Sequence, residues 1–266
     1  MGILEAIVLG IVQGFTEFLP VSSSGHLVLF QNIFGIEGDL LFFDTMLHVG
    51  TLVAVVVVLR KDIMAILRHP IQKLTGMLIV ATIPAVVFAL LFNDFFTGAF
   101  EGGYLAFGFM VTALLLTLAE LISEAMTKKK NHVTYGNAVA MGVLQGVAIM
   151  PGISRSGSTM VGGLLCGIDR SMVARFSFLM SIPVILGSLV LQSYQLFSEG
   201  AHSVYLAPTI IGTLFAAASG YFAVRFMLNL ITKKKLYGFA IYTGALGVLV
   251  LLDQLVFNVV FANPFV

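Results

Sequence analysis

Six apolar runs, each about as long as a membrane-crossing helix, constrain this chain more than any other feature. A helix needs about 20 mostly apolar residues to cross the hydrocarbon core of a bilayer. The runs lie at about 41–59, 76–92, 102–122, 175–197, 204–226 and 236–261. Composition agrees, because 59% of the residues are hydrophobic and 10% are charged, whereas soluble domains carry about 25% charged residues. We therefore expect an all-α integral membrane protein that forms a single domain over residues 1–266.

Two further apolar stretches, at about 4–34 and 137–168, are each interrupted by a polar segment. The interruptions read EFLPVSSSGH at 17–26 and MPGISRSGST at 150–159. Each half-stretch has roughly 11 to 15 residues and is too short to cross a bilayer alone. Irregular backbone at membrane depth occurs only where protein buries it or water reaches it, so we predict two re-entrant helix pairs that line a cavity. A Pro-kinked helix that crosses the bilayer is the alternative interpretation.

The two interrupted stretches are copies of each other. A shift of 132 positions aligns six identical residues without a gap: Gly10 with Gly142, Gln13 with Gln145, Gly14 with Gly146, Ser22 with Ser154, Ser24 with Ser156, and Gly25 with Gly157. This register indicates a duplication, with repeat one at about 1–130 and repeat two at about 131–266. Because three predicted spans lie between the copies, we expect the second copy to be inverted relative to the first. Transporters use this architecture as well as enzymes, so it does not by itself indicate a function.

The loops between the spans alternate in charge. Lys and Arg lie in the loops at about 60–73, 128–130 and 233–235, whereas the loops at 35–40, 93–101 and 198–203 carry acids and neither Lys nor Arg. By the positive-inside rule the basic loops are cytoplasmic, which predicts a multi-pass plasma-membrane protein whose first re-entrant pair opens to the outside. The N-terminal sequence MGILE has an acid where a cleaved signal carries positive charge, so we expect no removable targeting peptide. The net charge of +1 is too small to indicate binding of nucleic acid. The sequence leaves open whether the protein forms a homodimer.

Few ionisable side chains remain at membrane depth once charges in loops and at span ends are set aside. They are chiefly Glu17, His26, Asp44, His48, Arg155 and Asp253. An acid or Arg near the bilayer centre costs about 2.5 to 3.5 kcal/mol on insertion scales, so each needs a partner or a watery cavity. We expect the repeat to bring the two polar segments together. Asp44 and His48, one turn apart, are interpreted as structural by default, with support of the site residues as the alternative, and Asp253 is interpreted as close to the external surface. Cys166 lies in an apolar run and is interpreted as inert packing.

Gln13 and Glu17 are four residues apart, so a helix places them on one face, where they can offer oxygen ligands to a hard cation such as Mg²⁺ or Ca²⁺. The structural alternative is helix packing through Gly10 and Gly14, with Gln13 hydrogen-bonded to a neighbour. For Glu17 we favour the functional interpretation, because a charge beside a helix break is costly to bury.

The serines of both segments lie where new helices begin. Ser22, Ser23 and Ser24 can cap the first helix, and Ser154 and Ser156 flank Arg155 at the start of the second. Free N–H groups and the helix dipole also attract phosphate, so two opposed helix starts with one Arg predict an anion site. Arg155 paired with Glu17 as a structural ion bridge is the alternative.

His26 has an unperturbed pKa near neutrality, which suits proton transfer or attack on phosphorus. A hydrogen-bonded packing role is the alternative for this histidine. The sequence contains no nucleotide-binding loop, dinucleotide fingerprint or zinc motif. The string SSGH is similar to lipid phosphatases of the acid-phosphatase type, but that family's Lys/Arg-Pro motif and second catalytic His are missing.

The chain closely resembles the undecaprenyl-diphosphate phosphatases associated with bacitracin resistance. Its Gln13-to-Glu17 spacing matches that family's Glu/Gln-x-x-x-Glu motif, although Gln13 stands where some members have a second acid. The family's serine-glycine-histidine segment matches Ser22, Ser23, Gly25 and His26. Its PGxSRSxxT motif is matched by Pro151, Gly152, Ser154, Arg155, Ser156 and Thr159. The resemblance implies a membrane phosphatase that removes the terminal phosphate of a C55 polyprenyl diphosphate with a divalent cation.

These observations predict phosphoryl hydrolysis, in which charge neutralisation and positioning dominate. We expect His26, Glu17, Arg155 and Ser23 to be catalytic and Gln13 and Glu17 to bind the cation. Substrate binding is expected from Ser22, Ser24, Gly25, Gly152, Ser154, Ser156 and Thr159. His26 either activates water, activates Ser23 or attacks directly. The rival hypothesis is a transporter or flippase that binds an anionic lipid at the same site without hydrolysing it.

Overall fold

The computed structural model describes residues 1–36, 38, 40–92, 95, 102–126, 129–199 and 206–261. Its regular elements are helices, and the β-type pairing between Lys130 and Ile168 is an isolated bridge. The predicted all-α membrane fold is therefore confirmed.

Eleven helices are described. They are α1 (Ile3–Phe18), α2 (Ser23–Ile33), α3 (Leu41–Val58), α4 (Arg60–Arg68), α5 (Lys73–Leu91), α6 (Leu105–Ala125), α7 (Tyr135–Val147), α8 (Arg155–Leu165), α9 (Arg170–Glu199), α10 (Leu206–Lys233) and α11 (Tyr237–Leu252). A π-helical turn, Asp253–Phe257, extends α11.

Six helices of the described part are long and apolar enough to cross a membrane: α3, α5, α6, α9, α10 and α11 with its π-helical turn. They coincide with the six predicted runs, whose boundaries shift by a few residues. Much of their surface is apolar and exposed, which fits helices that contact lipid.

Each interrupted stretch forms two short helices in contact with each other. Residues 19–22 separate α1 from α2, and residues 148–154 separate α7 from α8. In each stretch the polar segment ends the first helix and also supplies the N-cap residue of the second helix. The orientation of these pairs in a bilayer, and their re-entrant character, stay predictions.

The two halves of the chain carry corresponding helices in the same order, and their packing is reciprocal. Helix α1 packs on α10, and its counterpart α7 packs on α5. Glycines allow both contacts: a Cβ on Gly10 would lie 2.3 Å from the carbonyl oxygen of Gly212, and a Cβ on Gly142 would lie 2.3 Å from that of Ala81. Part of the repeated glycine pattern therefore has a packing reason. The limits of the two repeats stay a prediction.

Part of the basic segment at about 60–73, which the sequence predicted to be a loop, forms helix α4. Its polar residues include Arg60, Lys61 and Asp62, whereas Ile63 and Ile66 pack against the core. Amphipathic helices that lie at membrane surfaces show the same division into a polar and an apolar face. The predicted acidic loops at 35–40, 93–101 and 198–203, and the basic loop at 128–130, fall partly outside the described residues.

The ion pair between Glu120 and Arg170 was missing from the charged residues that the sequence placed at membrane depth. Glu120 in α6 is fully buried and accepts hydrogen bonds from Arg170 at the start of α9 and, at 2.8 Å, from the backbone N–H of Leu236. The sequence placed these charges at span ends and set them aside. They join α6, α9 and the segment that precedes α11.

Candidate active site

The two polar segments meet at glycines. A Cβ on Gly25 would lie 3.0 Å from the Cα of Gly152 and 2.8 Å from the ring of Phe109. Gly152 has φ +86°, and a Cβ there would lie 2.7 Å from the carbonyl oxygen of Leu105. Neither position has room for a larger residue, so these glycines bring the segments into contact.

Both second helices begin with the same serine cap. The Oγ of Ser22 accepts a hydrogen bond from the N–H of Gly25 at 3.3 Å, and the Oγ of Ser154 accepts one from Gly157 at 3.0 Å. Ser22 has φ +72°, an uncommon conformation for a residue other than glycine. The predicted capping role is thus observed for both serines, and strained backbone occurs beside it in the first segment.

The remaining serines connect the segments. Ser24 Oγ lies 3.4 Å from Ser22 Oγ, and Ser156 Oγ lies 3.2 Å from Ser154 Oγ. Ser156 also donates a 2.8 Å hydrogen bond to the carbonyl oxygen of Leu19, which lies in the first segment. Hydroxyl groups of both segments therefore line the region where the two helix starts meet.

Glu17 is the centre of the charged cluster. Its carboxylate accepts hydrogen bonds from Nη2 of Arg155, from the hydroxyl of Ser23 and, at 3.1 Å, from Nε2 of Gln13. Only 5% of the Glu17 side chain and 15% of the Arg155 side chain are exposed. A buried carboxylate loses its hydration, and these three hydrogen-bond donors offset the free-energy cost of burying its charge.

His48 lies at the same carboxylate. Its Nε2 is 3.9 Å from Oε2 of Glu17, and its Nδ1 donates a 2.8 Å hydrogen bond to the carbonyl oxygen of Asp44. This position agrees with the alternative left open for His48, a supporting role at the site, which stays a prediction. With Nδ1 bonded to a backbone carbonyl oxygen, the Nε2 atom of His48 is the ring nitrogen on the side of the site.

His26 is held away from this cluster by two other partners. Its Nδ1 lies 2.6 Å from the carbonyl oxygen of Ser22, so Nδ1 carries the hydrogen, and its Nε2 accepts from the hydroxyl of Tyr242 at 2.8 Å. The ring stacks on Tyr242 and meets Phe109 edge-on. Among the described residues, none of the hydrogen bonds of His26 reaches Glu17, Ser23 or Arg155.

Several buried polar atoms lack hydrogen-bond partners among the described residues. They include Oε1 of Gln13, Nη1 of Arg155 and both amide atoms of Gln145, the counterpart of Gln13 in the second repeat. An unpaired buried polar atom costs about 1 to 3 kcal/mol, so such atoms in a polar site are ready to bind a ligand or water.

Thr159 and Thr112 have structural partners. The Thr159 hydroxyl shares a 2.6 Å hydrogen bond with that of Ser177, and it is fully buried. Thr112 Oγ1 donates to the carbonyl oxygen of Gly152 and accepts from the N–H of Ser154, both at 2.9 Å. Thr112 therefore fixes the second polar segment, a role that nothing in the sequence of its apolar helix indicated. The predicted substrate role of Thr159 stays a prediction.

Gln13 and Glu17 are the residues that the sequence predicts to bind a hard divalent cation. Among the described residues no group of three or more His, Cys, Asp or Glu side chains could hold a metal ion. The unpaired Oε1 of Gln13 nevertheless lies one helical turn from the Glu17 carboxylate. Mg²⁺ is commonly bound through one or two such ligands together with substrate phosphates and water. A divalent cation at Gln13 and Glu17 stays a prediction.

Comparison with known proteins covers nearly the whole chain. The sequence model of the family described as bacitracin resistance protein BacA matches residues 6–249. The undecaprenyl-diphosphatase of Carboxydothermus hydrogenoformans is 44% identical over 257 residues, which are 96% of this chain and 98% of that protein. The undecaprenyl-diphosphatase of Halothermothrix orenii and undecaprenyl-diphosphatase 3 of Bacillus cereus are also 44% identical, over 95% and 96% of this chain and 98% of each relative.

Proposed function

This chain belongs to the bacitracin resistance protein family, and from that premise we infer that it dephosphorylates undecaprenyl diphosphate to the monophosphate and inorganic phosphate. It is an integral-membrane phosphatase. The reaction recycles the lipid carrier of cell-wall synthesis, and removal of the diphosphate accounts for bacitracin resistance. The transporter hypothesis is not favoured.

The observation that carries the assignment of the site is the contact between Arg155, Glu17 and Ser23. Arg155 uses Nη2 on Glu17, whereas its buried Nη1 has no hydrogen-bond partner in the described part of the chain. A guanidinium binds phosphate oxygens through a fork of donors. We propose that Nη1 contacts the terminal phosphate and that the N–H groups at the starts of α2 and α8 share its charge.

The hydrogen bond from Ser23 to Glu17 supports Ser23 as the nucleophile. Ser23 Oγ attacks the terminal phosphorus, its proton passes to Glu17, and the bond from phosphorus to the bridging oxygen breaks. Glu17 then gives that proton to the departing polyprenyl monophosphate. In the second half, water attacks the phosphoserine, and a proton from that water returns to Ser23 through Glu17 as phosphate leaves.

His26 acts, in this proposal, as a positioning residue. Its hydrogen bond to the Ser22 carbonyl oxygen stabilises the backbone next to Ser23 where φ is positive. Direct attack by His26 would require its Nε2 to lose the Tyr242 hydroxyl first. His48, at 3.9 Å from Glu17, is better placed to influence the carboxylate.

Gln13 Oε1 and the Glu17 carboxylate are the atoms we propose to hold a divalent cation. When bound, the cation supplies charge neutralisation for the phosphoryl oxygens. Ser22, Ser24 and the serines that flank Arg155 are proposed to orient the diphosphate by hydrogen bonding.

We propose that the enzyme resides in the plasma membrane with the site open to the outside, because the basic segments lie on the opposite side by the positive-inside rule. The polyprenyl tail would lie in lipid between helices. No nucleic acid is proposed as a partner, and a homodimer is the assembly to be tested by mass measurement in detergent.

Phosphate release by purified protein given undecaprenyl diphosphate tests the function. A Ser23→Ala variant purified in parallel controls for contaminating phosphatases. Release by the wild type, well above that of the variant, is expected. A protein that binds the lipid and releases no phosphate would instead be a transporter or binding protein.

A further inference from the structure

A polar cavity that is open at the surface lies at the basic end of the helix bundle, outside the site described above. It has a volume of about 570 Å³ and is formed where α3 meets α4, at the start of α9, and along the last turns of α10. None of its lining residues belongs to the cluster around Glu17. Its volume falls within the range of about 300 to 1,000 Å³ that is typical of ligand pockets.

The cavity is strongly basic. Its four cationic lining residues are Arg60, Lys61, Arg175 and Arg225, and its one carboxylate is that of Asp62. Asp62 pairs with Arg175, with an Nη2-to-Oδ1 distance of 2.8 Å, so the remaining three cations have no carboxylate in the cavity. Mutual repulsion of these cations is relieved if an anion binds between them.

Tyr221 gives the cavity a polar hydroxyl as well. Its Oη accepts a 2.9 Å hydrogen bond from Nη1 of Arg225, whose guanidinium also lies over the Tyr221 ring at 5.5 Å from the centroid. This contact holds the guanidinium of Arg225 at the cavity wall. A planar guanidinium fixed in this way is suited to a phosphate group.

A separate apolar groove lies beside the cavity and shares none of its lining residues. It has a volume of about 670 Å³ and runs between α4, α5 and α9. Asp62 and Arg175 line the cavity, and Ile66 and Leu179, one helical turn further along the same helices, line the groove. The outer groove residue Leu67 is 68% exposed, so the groove opens to the surface that contacts lipid.

We propose that the basic cavity and the apolar groove together bind one anionic phospholipid from the leaflet at the basic end. The headgroup phosphate lies among Arg60, Lys61 and Arg225, the cations without a carboxylate partner in the cavity, and an acyl chain lies in the groove of α4, α5 and α9. Basic pockets between membrane helices are sites where anionic lipid headgroups bind. The groove is what selects a lipid over free phosphate, because a soluble anion uses only the cavity.

Native mass spectrometry of the delipidated full chain in detergent, titrated with dioleoyl phosphatidylglycerol, tests this proposal. We expect one saturable lipid, with an apparent Kd at least tenfold lower than for dioleoyl phosphatidylcholine. Arg60→Gln combined with Arg225→Gln should raise the Kd for phosphatidylglycerol about tenfold or more. Lys233→Gln combined with Lys234→Gln removes the same charge from the same end outside the cavity, and should change the Kd less than twofold.

Two further binding measurements distinguish a lipid headgroup from free phosphate as the ligand. Inorganic phosphate at millimolar concentration should fail to displace the lipid, and dihexanoyl phosphatidylglycerol should bind more weakly than the dioleoyl form. If the double Gln variant does not fold, Arg225→Gln alone replaces it and should raise the Kd for phosphatidylglycerol about threefold or more. The proposal is overturned if the two Gln variants weaken binding equally, if phosphatidylcholine binds as well, or if free phosphate displaces the lipid.

Discussion

Arg155 donates a hydrogen bond to Glu17 across 138 positions of sequence. Glu17 lies in the last turn of α1, and Arg155 is the first residue of α8. The ion pair therefore joins the two polar segments, one from each half of the chain, at a buried position. Either partner alone would be an uncompensated charge, so the pair also fixes how the segments meet.

The hydroxyl of Ser23 is expected to be indispensable. Ser23→Ala removes the proposed nucleophile and should lower the rate of phosphate release about 10³-fold or more. Ser24→Ala, which removes a hydroxyl one residue away, should stay within about tenfold of the wild type. Rates from undecaprenyl diphosphate at saturating substrate measure both variants. If Ser23→Ala retains more than a tenth of the activity, water or a histidine is the nucleophile.

The proposed cation is expected to act through Glu17. Chelation with EDTA should abolish activity, and added Mg²⁺ or Ca²⁺ should restore it. Glu17→Gln should lower turnover and require a higher ion concentration for half-maximal activity, whereas Gln13→Glu should be tolerated. Ion titrations of activity provide the measurement. The cation site is wrong if EDTA leaves the wild type fully active or if Glu17→Gln keeps a normal ion dependence.

Gly152 is expected to be required for stability. Alanine there must adopt φ +86° and place its Cβ 2.7 Å from a backbone oxygen, so Gly152→Ala should cost more than the roughly 1 to 2 kcal/mol of a left-handed conformation alone. Gly35→Ala is the matched control, because φ is +59° and no atom lies within 4 Å of its Cβ. Thermal unfolding in detergent should show the larger fall in Tm for Gly152→Ala. Equal shifts would mean that the segments are not closely packed at this glycine.

The proposal that the active site opens to the outside rests on the distribution of basic residues. In a Cys166→Ser background, Gly38→Cys or Glu199→Cys should react with a membrane-impermeant thiol reagent in intact cells, and Lys234→Cys should react only after permeabilisation. Labelling followed by gel-shift detection measures this. The reverse pattern would place the basic end outside and contradict the proposed topology.

Much of the fold was predictable because membrane spans are set by apolar length. The six spans and the two interrupted stretches follow from runs of apolar residues and from the Pro-Gly-Ser segments. Helix α4 was not predicted, because nine amphipathic residues between spans look like a basic loop. The pair of Glu120 and Arg170 was missed for a similar reason, since charges near span ends give no sign of whether tertiary packing buries them.

The candidate site was predictable in its residues and less so in its contacts. Glu17 and Arg155 were identified as costly charges beside helix breaks, and the repeat indicated that the segments meet. The neighbours of His26 and Glu17 depend on helices distant in sequence: Tyr242 lies on α11 and His48 on α3. Neither carries a local signal, because an isolated Tyr or His in an apolar helix is compatible with simple packing.

Arg155 is proposed to bind the transferring phosphate, and the rate of phosphate release by Arg155→Lys tests this role most directly. Lys keeps the charge but replaces a fork of donors with a point charge, so we expect a loss on the order of 2 to 4 kcal/mol in transition-state stabilisation. Arg175→Lys alters another arginine paired with a carboxylate and should change the rate less than about twofold. A folded Arg155→Lys protein with near-normal phosphate release would show that Arg155 serves only as the structural partner of Glu17.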